Sequence, residues 1–181
     1  MKKIISMILA LALLCGGAAL AETTEKEYMA TVDMNGVFEI RVSMPEGYKV
    51  EDATKDDAAG SQMFLISAGE GKPEMTLIIA FDEMYADVKR LNDMSEEDKA
   101  YLLSTWSEED VVEHTVVTTD YGTELFLIRE ANEAMDYASF FTIYNGYEIE
   151  FTLFSVTEEG LKEEQIQNAL KFLSDLEFVT P

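Results

Sequence analysis

The stretch Tyr137–Val156, YASFFTIYNGYEIEFTLFSV, decides the fold. Asn145-Gly146 stands between two runs rich in aromatic and β-branched residues, and both turn positions tolerate the positive φ that a two-residue hairpin requires. In the second run Tyr147, Ile149, Phe151 and Leu153 alternate with Glu148, Glu150 and Thr152. A period of two with one apolar and one polar face predicts a half-buried strand. A helix is expected next, from about Glu158 to Asp175 with Thr157 as candidate cap. There Ile166, Ala169, Leu170, Leu173 and Leu176 form one apolar stripe. A short Glu177-Phe178-Val179 extension follows.

The same pattern recurs toward the N-terminus. Tyr28–Met34 and Val37–Met44 flank Asn35-Gly36, and Phe38, Ile40, Val42 and Met44 share one face until Pro45-Glu46-Gly47 stops the strand. Glu51–Gly60 is polar and reads as a loop. Strands are expected at Gln62–Ser67 and Met75–Phe81, joined by the glycine-rich 68–73 segment. Ser95 is a plausible N-cap, with Glu96, Glu97 and Asp98 in the first turn, where the helix dipole favours acids. Leu102 and Trp106 share a face of that helix. Ser107–Asp110 repeats the capping pattern but yields to a β-branched strand at Val111–Thr119. A turn at Asp120-Tyr121-Gly122 leads back through Glu124–Arg129 to a loop at Ala131–Asp136. Hairpins interrupted by helices predict an α+β fold, a mostly antiparallel twisted sheet covered by two or more helices. One domain is expected over residues 28–181, after a short flexible lead at 22–27.

The first twenty-one residues read as a secretory signal peptide. Lys2 and Lys3 precede an apolar run from Ile4 to Leu14, and Ala19-Leu20-Ala21 offers an A-x-A cleavage site before Glu22. The run is about half the ~20 residues a membrane-spanning helix needs. The expected product is an exported bacterial protein, secreted or extracytoplasmic, with no membrane insertion after cleavage. Cys15, the one cysteine, lies in this leader. Leu13-Leu14 before it is a poor lipid-attachment context, so anchoring through Cys15 is the lesser expectation. The mature chain would have no disulfide and rely on its core.

Removing the leader removes two basic residues and no acid, leaving 11 Lys+Arg against 36 Asp+Glu, a net charge of −25. Such a chain is repelled by nucleic acid and by anionic membrane surfaces. Its roughly 160 residues suffice for one well-buried core.

The element order resembles the PsbP-like α-β-α sandwich family, that of the photosystem II extrinsic protein and a small Ran-binding protein. The likeness is carried by the opening hairpin with its Met44-Pro45-Glu46-Gly47-Tyr48 break, by Tyr144-Asn145-Gly146-Tyr147 with the long strand after it, and by the helix Gln165–Leu176 with Phe178. It implies an accessory or binding role and transfers no functional residue.

The chemistry is read mostly by elimination. His114 is the single histidine, which rules out a His-rich zinc site and leaves it a structural residue. Ser104, Ser107 and Ser139 stand in no G-x-S-x-G elbow. Neither phosphate-loop pattern occurs, and Gly69-Glu70-Gly71-Lys72 is a hairpin connection. No catalytic or cofactor-binding residues are assigned, and no cofactor is expected. Calcium is kept as a weaker alternative, with oxygen ligands drawn from Asp82, Glu83 and Asp87 or from Glu51, Asp52, Asp56 and Asp57. Glu148 and Glu150, about 7 Å apart on one strand face, are the candidates for a carboxylate-dependent hydrolase. Met84, Tyr85 and Met94 form no recognisable cofactor box. Tyr85, Tyr101 and Trp106 are read first as core and second as the walls of a groove. The leading expectation is a non-catalytic binding or accessory protein. Its protein or small-molecule partner and its oligomeric state are not written in the sequence.

Overall fold

The computed structural model describes residues 28–32, 38–43, 49–56, 61–67, 74–106, 111–131, 136–155 and 160–180. The fold is α+β, and every strand pair is antiparallel. The strands are β1 (Tyr28–Val32), β2 (Phe38–Arg41), β3 (Lys49–Asp56), β4 (Ser61–Ser67), β5 (Glu74–Phe81), β6 (Val111–Thr118), β7 (Glu124–Ala131), β8 (Asp136–Tyr144), β9 (Tyr147–Phe154) and β10 (Glu177–Val179). The helices are α1 (Glu96–Leu103) and α2 (Glu163–Leu173), with single 3-10 turns at Glu83–Tyr85 and Leu91–Asp93. Among the described residues a seven-stranded sheet runs β3-β4-β5-β9-β8-β7-β6, and a three-stranded sheet runs β1-β2-β10.

The order shows how the chain travels. After β5 it crosses one face of the large sheet through the 3-10 turns and α1, starts again at the far edge with β6, and meanders back until β9 pairs with β5. The alternation along β9 is realised, with Tyr147, Ile149, Phe151 and Leu153 buried and Glu148, Glu150, Thr152 and Phe154 half-buried. Each face therefore has its own core. On one, Ile79, Phe140, Ile149 and Phe151 meet Phe38 and Ile40 of β2, Val42 just after it, and the buried stripe of α2. On the other, Phe126, Ile128, Phe141 and Ile143 meet Tyr85, Leu91 and Leu102.

Three expectations are corrected. Lys49–Asp56 is a strand, not part of a loop, and it forms one edge of the large sheet. Its sequence carries charges rather than an apolar period, as suits an edge strand that must not recruit further strands. The last helix begins at Glu163, because Gly160 at φ +70° lies outside helical space. The Lys162 N–H there donates to Gln165 Oε1 at 2.6 Å. The C-terminal extension is not an appendage, since Glu177–Val179 pairs with β2. The leader, the Asn35-Gly36 turn, the 44–48 break, the 68–73 connection, Asp57 and Thr157 lie outside the described residues. Among the described residues no helix is long and apolar enough to cross a membrane.

Candidate binding groove

The crossover from β5 to β6 is held at both ends. Asp82 Oδ1 accepts from the Met84 N–H at 2.7 Å and starts the first 3-10 turn. Ser95 Oγ accepts from the Asp98 N–H at 3.1 Å, as its place before three acids predicted. Between these caps the segment grips the Asn145-Gly146 turn. The Asn145 N–H donates to Lys89 O at 2.9 Å and the Gly146 N–H to Val88 O at 3.0 Å. Asn92 ties it to β7, donating to Gly122 O at 2.9 Å and accepting from the Glu124 N–H at 3.2 Å. Leu91 and Leu102 are buried as anchors.

Between the first 3-10 turn and α1 this frame leaves a groove of about 550 Å³, within the range of small-molecule sites. Tyr85 lines it with 8% of its surface exposed, while Tyr101 and Met84 stand at 66% and 68%. Met94 adds a second thioether, and Asp87, Lys89, Asp93 and Asp98 make up the charged lining. Lys99 lies one residue beyond but is spent elsewhere. Its ammonium donates to Glu124 at 2.8 Å and to Glu96 at 3.2 Å.

Tyr85 meets both sequence readings, buried in the second core while lining the groove, and Tyr101 stands exposed in the groove as the second reading put it. Trp106 does not. Its ring packs edge-on against Phe141 with centroids 5.3 Å apart, in the core under α1. Asp93, Asp98 and Lys89 were not foreseen, because a groove between a 3-10 turn and a helix is a product of tertiary placement and has no period.

Glu148 and Glu150 share the polar face of β9, but their surroundings differ. Glu150 Oε1 accepts from Ser139 Oγ at 2.6 Å and from Thr152 Oγ1 at 3.1 Å. Burial, then Asp82 and Glu150, push the Glu148 carboxyl above its ordinary pKa. Glu150 is a hydrogen-bonded acceptor beside a neighbour inclined to hold its proton. His114 is exposed on edge strand β6 and pairs across the ladder with Ile128.

Of the calcium candidates, Asp82 caps a turn, Asp87 lines the groove and Glu83 is exposed; Glu51, Asp52 and Asp56 lie along β3. Among the described residues no group of three or more His, Cys, Asp or Glu is placed to hold a metal ion. No protein-family model matches the chain, and no curated protein sequence matches it significantly.

Proposed function

We propose that the chain is an exported, non-catalytic binding protein that holds its ligand in the groove between the 83–85 turn and α1. The observation that carries this reading is the exposure of Met84 and Tyr101 at the mouth of a cavity whose frame is fixed by caps, hydrogen bonds and buried leucines. Large apolar side chains left in water around a preformed hollow are the usual mark of a binding site. Export rests on the leader sequence and predicts a mature N-terminus at Glu22. The layering, with α2 and the small sheet on one face and α1 on the other, is in keeping with the PsbP-like sandwich that the sequence resembles, and with the accessory role that family suggests.

A fragment screen followed by amide chemical shifts tests the proposal. Hits should perturb residues 84–102, and Tyr101→Ala should weaken them. Hits that perturb only the polar face of β9, or turnover abolished by Glu148→Gln, would favour the carboxylate hydrolase instead.

A further inference from the structure

We propose that the groove takes a small organic ammonium ion, its apolar body against Met84, Met94 and Tyr101 and its charge toward Asp87 and Asp93. This rests on the groove being the binding site and adds the chemical class of its ligand.

Four observations converge on a cation. The first is the lining charge, three aspartates against Lys89. Lys99, next to Asp98 in the chain, is held by Glu124 and Glu96 and does not offset them.

The second is Tyr85. Only 8% of this residue is exposed, and it lines the groove. An ammonium has donors only, and the phenol oxygen can accept one of them. The field behind the ring is negative as well. After burial, the carboxylates of Glu148 and Asp82 are the next causes that raise the Tyr85 pKa.

The third is the open face of Tyr101, an aromatic surface on which a cation is stabilised. The fourth removes the opposite choice. The N-terminal end of α1 would otherwise attract an anion. Its Asp98 N–H is already taken by Ser95, and Glu96, Glu97 and Asp98 occupy its first turn.

Three compounds with one body and three charges test this: phenethylammonium, 2-phenylethanol and phenylacetate. Each is titrated into the purified protein by calorimetry and followed by amide shifts. The ammonium compound should bind about tenfold tighter than the alcohol, a difference of ~1.4 kcal/mol, with shifts in residues 84–102. Phenylacetate should bind weakest. The double variant Asp87→Asn, Asp93→Asn alters exposed residues and should fold normally. It should weaken the ammonium compound by about fivefold and leave the alcohol unchanged. Tyr85→Phe should weaken the ammonium compound more than the alcohol.

If the alcohol or the acetate bound in 84–102 as tightly as the ammonium compound, or if the double variant bound it undiminished, the ligand class would be overturned and the groove would stand. No shift in 84–102 with any of the three, nor with any fragment of the broader screen, would overturn both.

Discussion

The ring of Tyr144 lies stacked on that of Phe178, with centroids 4.7 Å apart and planes inclined by 19°. Phe38 meets both edge-on, at 5.0 and 6.0 Å. The last strand, the second strand and the central hairpin therefore share one aromatic cluster. Phe178 is only partly buried, so Phe178→Ala should cost less than a full core deletion, about 2 kcal/mol. For a chain of this length that lowers Tm by about 4–8 °C, measurable by thermal unfolding followed by circular dichroism.

Gly146 and Gly122 both hold positive φ, at 81° and 79°. A Cβ on Gly146 would come within 3.0 Å of Phe81 Cε2 and 3.2 Å of the Ala86 Cα, whereas on Gly122 it meets nothing within 4 Å. Gly146→Ala should therefore cost about 2–3 kcal/mol and Gly122→Ala about 1 kcal/mol. Equal losses in chemical denaturation would contradict the close approach of the hairpin turn to the 85–86 backbone.

Glu148 provides a pH test. Its folded pKa is raised above the ordinary 4.5 by burial, Asp82 and Glu150. The folded state thus holds this proton more tightly than the unfolded chain, and the contribution of Glu148 to stability falls as pH rises from 4.5 through its shifted value. Glu148→Gln should remove that decline and raise Tm at pH 7 by about 1–2 °C, a small gain because the group is partly solvated. Unfolding curves between pH 4 and 8 for both proteins would show it.

Lys99 gives the opposite sign. The hydrogen bond to Glu124 raises its pKa above 10.5, burial opposes this, and Glu96 adds to the rise. Its stabilisation is complete below 10.5 and is lost as pH climbs through the higher folded value. Lys99→Met should be destabilised by about 1–2 kcal/mol at pH 7, since Glu124 is left half-buried without its cation. The variant should then lose less than the wild type between pH 10 and 12.

Legibility followed periodicity. β9 could be read residue by residue, because one face meets the core and the other meets water. The Asn145-Gly146 turn was legible because positive φ at both positions leaves few alternatives. β3 was misread because an edge strand of charged residues has the composition of a loop. In α2, Phe172 is buried alongside Ile166, Ala169 and Leu173, while Leu170 of the expected stripe is only partly buried. The three-residue β10 is too short to have a period, and its pairing with Glu39–Arg41 is a tertiary event. Of the groove, only Tyr85, Tyr101 and the methionines could be suspected. Asp87 and Asp93 reach it through the segment of the two 3-10 turns, which is held by hydrogen bonds to a hairpin some fifty residues away.

The middle strand of the small sheet, β2, has neighbours from opposite ends of the chain: β1 just before it and β10 nearly 140 residues later. A ribosome thus releases β2 long before its second partner exists. Contacts of such long range are made late and fold slowly, so the aromatic cluster around Phe38 cannot close until Phe178 has been made. A chain stopped short of β10 would leave Phe38 and Ile40 without that cover.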